Sequence, residues 1–126
     1  MNDINYNGFC RSSSPQPLPN SEEQSNEKLA ALAKAIAHPV RIQILRILAS
    51  HAACLCGDIV NVLPLAQSTV SEHLRILKAS GLILGEVDGP RVCYCIDTGV
   101  LDQLKALILD LPCPDFQPSP VDQKGP

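Results

Sequence analysis

Two cysteines stand one residue apart in the stretch HAACLCGDIV, residues 51–60. Thiolates bind soft metal ions and metalloids, and pairs of thiols also oxidise to disulfides. The pattern around Cys54 and Cys56 predicts the start of a short helix, roughly CGDIVNVL. Residues i and i+2 of an α-helix point ~200° apart, so both thiols reach one ion only if the first turn is unwound or distorted. The stretch therefore predicts a site at which ion binding strains a helix.

Other residues offer further ligands for such an ion. Cys10 lies in a polar tail that can reach over the domain, whereas Cys93 and Cys95 share one face of a predicted strand, roughly 6–7 Å apart along the chain. These two cysteines are equally consistent with small apolar residues packed under the strand. His51 precedes Cys54 by three residues, and its imidazole would suit cadmium, zinc or lead more than arsenic. The sequence alone does not decide which of these residues is the third ligand.

The organisation of the chain predicts one folded domain between two polar tails. Residues 1–26 are rich in Ser, Pro, Asn and Glu and predict a disordered N-terminal arm, and the Pro-rich residues 112–126 predict a disordered tail. No stretch has ~18 uncharged apolar residues or the pattern of a secretory signal. We therefore expect residues 27–111 to form a cytoplasmic domain that does not contact a membrane.

Within residues 27–111 the periodicity predicts helices followed by a hairpin and a last helix. Two helices precede the CLC stretch, and QSTVSEHLRILKAS predicts a longer one that Gly81 ends. LILGEV and RVCYCI predict two strands joined at Asp88-Gly89, and Asp97 or Thr98 caps the last helix. That helix has a wider apolar stripe than a small core needs, which favours a homodimer through terminal helices. The fold class is mainly α with a β-hairpin wing, a winged helix-turn-helix.

The second helix of a helix-turn-helix pair enters the major groove of DNA, and the residues of the longer helix suit that task. Val70, Leu74 and Leu77 are predicted to form the buried face of this helix. Side chains that reach base edges and phosphates stand near its start: Gln67, Ser68, Thr69, Ser71, His73 and Arg75. Arg91, just past the hairpin turn, is a candidate phosphate or minor-groove contact. Although the chain carries a net charge of −3, residues 28–96 hold seven basic and four acidic residues, so the acidity belongs to the ends.

Four segments resemble the ArsR/SmtB family of dimeric bacterial metal-responsive repressors: AIAHPVRIQILRIL, CLCGDIV, LAQSTVSEHLRILKASGLI and GEVDGPRVCYCID. The resemblance covers about residues 28–110. It implies a homodimer that binds double-stranded operator DNA, represses its own operon and dissociates when an inducer binds. In arsenic-responsive members the helix before the recognition helix opens with Cys-Val-Cys-Asp-Leu-Cys, and Cys54 and Cys56 match its first two cysteines.

The chain departs from this pattern at two places. Gly57 is an extra residue and Val60 stands where the third cysteine would be, so one further thiol must come from elsewhere. Zinc-sensing relatives carry Asp and His ligands on the last helix, whereas residues 97–111 contain no histidine. We expect an arsenite- or antimonite-responsive repressor with no organic cofactor. The alternatives are a repressor that responds to cadmium, lead or zinc, or one that responds to thiol oxidation.

A thiol-dependent enzyme is the remaining alternative from another class. The chain contains no Cys-x-x-Cys, no phosphate-cradling loop and no cysteine placed with a general base. These observations disfavour an arsenate reductase or a disulfide oxidoreductase, and the sequence predicts that the protein is not an enzyme.

Overall fold

The structure, a computed structural model, describes residues 17–50, 54–56, 62–88 and 91–114. These ranges hold four helices, and the longest of them has 14 residues. None is long and apolar enough to cross a bilayer. The helices and strands follow in the order α1 (Glu22–Ala35), α2 (Pro39–Ala49), β1 (Cys54–Cys56), α3 (Gln67–Ser80), β2 (Ile83–Asp88), β3 (Arg91–Ile96) and α4 (Thr98–Leu109).

The first helix begins earlier than the sequence predicted. Residues 22–26, assigned to the disordered arm, belong to α1. Ser21 caps this helix, because its hydroxyl accepts a hydrogen bond from the Gln24 amide at 3.1 Å. The carboxylates of Glu22 and Glu23 in the first turn stabilise the helix, because they interact favourably with the positive end of the helix dipole. The rest of the predicted arm, residues 1–16, lies outside the described residues, so its disorder stays a prediction.

The segment with the two neighbouring cysteines is a strand in the structure, which corrects the predicted helix start. Cys54–Cys56 forms β1 and pairs antiparallel with β3. The backbone groups of a three-residue segment find their hydrogen-bond partners in β3, so long-range pairing decides its conformation. The continuation of the predicted short helix, residues 57–61, lies outside the described residues. The sheet therefore has three strands in the order β1-β3-β2, with the predicted hairpin at one edge.

The longer helix and the hairpin confirm the winged helix-turn-helix prediction. Gly81 ends α3 with a positive φ of 89°, a conformation that glycine adopts without steric cost. In the hairpin, Ile83 pairs with Ile96 at the base and Asp88 with Arg91 near the turn. Asp97 is the cap of α4, and its carboxylate accepts hydrogen bonds from the Gly99 and Val100 amides.

The core lies where the helices meet the base of the hairpin. Leu77 of α3 and Leu82 and Ile83 at the base of β2 are fully buried. Leu104 and Leu107 bring α4 into the same core, and α4 packs against α1. This core holds α3 against both the first helices and the hairpin, so a displacement of the sheet is transmitted to α3.

Candidate nucleic-acid interface and cysteine cluster

One face of α3 is buried and the opposite face is free in this chain. Val70, Leu74 and Leu77 lie in the core as predicted. The predicted contact residues at the start of the helix are all exposed: Gln67, Ser68, Thr69 and Ser71. Their amide and hydroxyl groups provide donors and acceptors on a convex helical surface that matches the width of a major groove.

The predicted base-contacting arginine is exposed but already paired. The Arg75 guanidinium donates two hydrogen bonds to the Glu72 carboxylate, from Nε at 3.0 Å and from a terminal nitrogen at 2.6 Å. This hydrogen bonding lowers the pKa of Glu72 and raises that of Arg75. Both side chains are more than half exposed, so the pair is solvated and contributes little to stability. Arg75 can therefore exchange its partner for a base or a phosphate.

The prediction that His73 lies on the DNA-facing surface is wrong. Its side chain is only 9% exposed, and it points to the start of α2. There its Nδ1 atom lies 3.1 Å from a terminal nitrogen of Arg41, and its ring centroid lies 4.4 Å from that of His38. Arg41 also donates a hydrogen bond to the Ala35 carbonyl at 2.6 Å. His73 thus connects α3 to the junction of α1 and α2, and its side chain is not available to contact a DNA groove.

The four cysteines of the sheet stand opposite one another in two pairs. The register of β1 and β3 places Cys54 opposite Cys95 and Cys56 opposite Cys93. Directly opposed residues of an antiparallel pair have Cα atoms about 4.5–5.5 Å apart and lie on the same face of the sheet. Cysteines that are 37 or more residues apart in the sequence are therefore brought together at one place.

The cysteines of β3 are buried on the face of the strand opposite Tyr94 and Ile96. Cys93 and Cys95 are 0% and 1% exposed and belong to the buried apolar residues, as the packing interpretation predicts. Both are also disulfide-bonded in the structure, and this bonding is what favours a role in thiol chemistry in addition to packing.

The known proteins that this chain resembles are transcriptional regulators. A helix-turn-helix domain family matches residues 36–86. The HTH-type transcriptional regulator YgaV of Escherichia coli K12 is 32% identical over 92 residues, which span 73% of this chain and 93% of that protein. The chain belongs to the ArsR/SmtB family of winged-helix transcriptional regulators. Its relatives also include the HTH-type transcriptional repressor SmtB of Mycobacterium tuberculosis, which is 43% identical over 63 residues, 50% of this chain and 46% of the repressor.

Solved structures of regulators support the same assignment. The crystal structure of the transcriptional regulator HlyU from Vibrio vulnificus CMCP6 matches with a TM-score of 0.52 at 34% identity, covering 72% of this chain and 94% of that one. In helix-turn-helix regulators the second helix of the motif enters the major groove of DNA. The relatives are transcriptional regulators and not enzymes, which supports the expected role in transcription over a thiol enzyme.

Several predicted site residues of this ArsR/SmtB regulator stay predictions. The backbone of Arg91 begins β3, which places it at the tip of the wing, but its side chain lies outside the description. Cys10 and His51 also lie outside the described residues. Cys113 is free and exposed beyond the end of α4. Sequence reasoning missed the pairing of Cys54 and Cys56 with the wing strand.

Replacing the two residues of the ion pair on α3 should change operator affinity in opposite directions. We expect Arg75→Ala to weaken operator binding by about 1–3 kcal/mol if Arg75 contacts a base. Glu72→Gln should strengthen it, because that change releases Arg75 and removes an exposed negative charge that the phosphates would repel. Fluorescence anisotropy with a labelled operator measures both effects. Asp102→Asn on the exposed side of α4 changes the net charge equally and should leave affinity unchanged, whereas equal effects of both acidic variants would contradict the role of Glu72.

The buried histidine predicts a pH-dependent stability. Burial lowers the pKa of His73 below 6.5, and the neighbouring His38 and Arg41 lower it further, whereas Glu72 opposes them. The unfolded chain therefore binds the proton first as the pH falls, and the folded state loses stability from about pH 6.5 down to the folded-state pKa. The slope contributed by this one group is at most about 1.4 kcal/mol per pH unit.

Denaturant unfolding at a series of pH values measures this contribution of His73. His73→Gln should flatten the pH dependence below 6.5, because the amide retains an acceptor for Arg41 and takes up no proton. His38→Asn keeps a residue that can cap α2 and removes only the contribution of His38 to the shift, so it should retain most of the slope that burial of His73 causes. A His73→Gln variant with an undiminished slope would show that another group is responsible.

Proposed function

We propose that this ArsR/SmtB regulator is a repressor that binds its operator in the reduced, ion-free form and releases it when a thiophilic ion binds the cysteine cluster. The cluster comprises Cys54, Cys56, Cys93 and Cys95. The observation that carries the proposal is the strand register, which places these cysteines in two facing pairs beside the wing. Thiolates are the ligands that soft metals and metalloids prefer.

For DNA binding, the proposed repressor uses the exposed start of α3 in the major groove. Gln67, Ser68, Thr69 and Ser71 supply neutral donors and acceptors, and Arg75 supplies a positive charge once it leaves Glu72. Arg91 at the wing is proposed to contact a phosphate or the minor groove. The basic excess of residues 28–96 attracts the DNA backbone, whereas the acidic charge belongs to the two ends.

Arsenite or antimonite is the first proposed inducer. Such an ion needs three thiolates, and the strand pairing supports a cysteine of β3 as the third ligand in place of the one missing from the helix motif. Cys93 and Cys95 are opposite Cys56 and Cys54, so either can complete a three-sulfur set with the two cysteines of β1. This geometry favours them over Cys10 as the third ligand. The disulfides of Cys93 and Cys95 must first be reduced, because only thiolates bind the ion.

A divalent soft metal is the second proposed inducer, and the fourth cysteine favours it. Cadmium, lead or zinc is bound well by sulfur ligands, and a closed four-sulfur site is the common tetrahedral arrangement for zinc. Four cysteines in two facing pairs supply such a set. Because the residues at the site are all thiols, His51 is not needed for it.

The position of the cluster explains how ion binding can change the affinity for DNA. Ligands on both β1 and β3 tie the strand that follows α2 to the second strand of the wing. The wing in turn packs against α3 through β2, so rearranging the sheet changes the angle between wing and recognition helix. A coupling free energy of about 1–3 kcal/mol suffices to lower operator affinity roughly 5- to 150-fold.

A homodimer is part of the proposal, because α4 leaves apolar side chains uncovered in the single chain. Ile108 and Leu109 of α4 are 48% and 84% exposed, and Leu111, two residues beyond the end of the helix, is 54% exposed. Leu104 and Leu107 on the same helix already fill the core, so the stripe is wider than the core requires. Covering the exposed part with the same helix of a second copy buries apolar area at roughly 25 cal/mol per Å².

Introducing a charged side chain on this apolar surface tests whether the surface forms the dimer interface. Leu109→Glu should yield a monomer in sedimentation velocity, because a carboxylate at the centre of the interface would be desolvated. Val87→Glu is the matched control, since Val87 is an equally apolar residue, 74% exposed, on the hairpin. The control should remain dimeric. A dimeric Leu109→Glu variant would place the interface elsewhere.

Direct ion binding tests the proposed inducer site. Reduced protein is titrated with arsenite or cadmium under anaerobic conditions, and free thiols are counted with a thiol reagent. Three protected thiols per chain would support the arsenite site and four would support the divalent one. Protection that persists in a Cys93→Ser/Cys95→Ser variant would contradict a site between β1 and β3.

A further inference from the structure

The disulfide partners of Cys93 and Cys95 follow from strand geometry. Two residues on one face of the same strand have Cα atoms roughly 6.6 Å apart, at the upper limit of about 6.8 Å for disulfides. Directly opposed residues of an antiparallel pair, at about 4.5–5.5 Å, fall well inside that limit. The residues opposite are Cys56 and Cys54. We infer that the oxidised protein contains the disulfides Cys54–Cys95 and Cys56–Cys93.

We propose that these two cross-strand disulfides form a redox site that decides whether the regulator can respond to its inducer. In the reduced form the four cysteines offer thiolates, and in the oxidised form none of these sulfurs is a thiolate. The oxidised repressor is then insensitive to the ion. This regulatory consequence depends on the proposed inducer site, whereas the pairing of the cysteines does not.

The chemistry balances with a hydroperoxide as the oxidant. One thiolate of a facing pair attacks an oxygen of hydrogen peroxide and the O–O bond breaks, which gives a sulfenic acid and hydroxide; the hydroxide takes up the proton that the thiol lost on ionising and becomes water. The thiol opposite then attacks the sulfenic sulfur, forms the S–S bond and releases a second water. Formation of each disulfide thus transfers two electrons to one peroxide, so the four cysteines consume two. A dithiol reductant returns each disulfide to two thiols by exchange.

One observation distinguishes this site from ordinary buried cysteines. Cys93 and Cys95 are both disulfide-bonded, whereas Cys113 is free. The two facing pairs join segments on either side of α3, and their crosslinks hold β1 to the wing strand.

Double serine variants test the pairing, in a background in which Cys10 and Cys113 are also serine. The matched variants Cys54→Ser/Cys95→Ser and Cys56→Ser/Cys93→Ser each leave one directly opposed pair. The mismatched variants Cys54→Ser/Cys93→Ser and Cys56→Ser/Cys95→Ser leave a diagonal pair, with Cβ atoms farther apart than a disulfide allows.

On limited exposure to hydrogen peroxide, the matched variants should lose the mass of two hydrogen atoms and regain it with dithiothreitol. The mismatched variants should react at least about tenfold more slowly, because their sulfurs are not positioned for attack. Equal rates in all four variants would overturn the pairing. If a variant fails to fold, chymotryptic cleavage after Leu55 and Tyr94 in the unaltered oxidised chain separates the cysteines and identifies the same linkages by mass spectrometry.

A final comparison tests the regulatory consequence with arsenite and cadmium as the probes. The reduced protein should bind at least one of them, and the oxidised protein should bind neither until dithiothreitol restores the thiols. Ion binding by the fully oxidised protein would overturn the proposal. A reduced protein that binds neither ion refutes the inducer site and the regulation that depends on it, whereas the pairing stands or falls with the double variants.

Discussion

Replacing both Cys93 and Cys95 by serine is expected to abolish ion-induced release of the operator while leaving operator binding intact. These cysteines lie in β3, directly opposite Cys56 and Cys54, and are not among the exposed residues at the start of α3. Serine has nearly the same size, so the sheet can form, but a neutral hydroxyl is a poor ligand for a soft ion. In the unchanged protein, a saturating ion should lower operator affinity roughly 5- to 150-fold.

Fluorescence anisotropy with a labelled operator, under reducing conditions and with increasing arsenite or cadmium, measures this difference. Cys113→Ser is the matched control, since Cys113 is exposed, free and outside the sheet. The control should release DNA as the unchanged protein does. If the Cys93→Ser/Cys95→Ser variant still responded to both ions, the ligands would lie outside the β1–β3 pair, with Cys10 and His51 as the next residues to replace.

Leu77→Ala is expected to destabilise the domain by about 2–5 kcal/mol, which is the usual cost of truncating a fully buried leucine. Leu77 is 0% exposed and joins α3 to the common core. A domain has only about 5–15 kcal/mol of net stability, so this one change removes a large part of it. Operator affinity should fall as well, because α3 loses the contact that sets its position.

Calorimetry and urea denaturation measure the stability of Leu77→Ala. The midpoint temperature should fall by at least about 8 °C, given roughly 4–8 °C per kcal/mol for a domain of this size. Lys78→Ala changes the next, exposed residue of α3 and should shift stability by no more than about 0.5 kcal/mol. Similar losses in the two variants would contradict the assignment of the buried face.

Local sequence signals predicted most of the fold. Val70, Leu74 and Leu77 repeat at helical spacing, and Gly81 marks a left-handed C-terminal residue, so α3 could be placed from its own residues. The start of α1 also had a local signal that was missed. Ser21 and Gln24 have the spacing of a capping box, in which the serine bonds the backbone three residues on.

The strand β1 could not be predicted from its own residues. The three residues Cys54–Cys56 are too short to show a period, and their conformation depends on pairing with β3 some 37 residues later. This pairing brings two cysteine pairs that are distant in the sequence into one cluster. The sequence therefore identified the cysteines of the candidate site, but it did not predict that they lie next to one another. His73 is a different case. It lies three residues after Val70 and four before Leu77, a spacing that already predicts a buried position.

The most direct test of the proposed function is the affinity of fully reduced protein for its own promoter DNA before and after a thiophilic ion is added. Dithiothreitol is removed anaerobically before the titration, so that the protein provides the only thiols. The account predicts tight, sequence-specific binding that weakens at least about tenfold with saturating arsenite or cadmium. Affinity that is unchanged by arsenite, antimonite, cadmium, lead and zinc would contradict it.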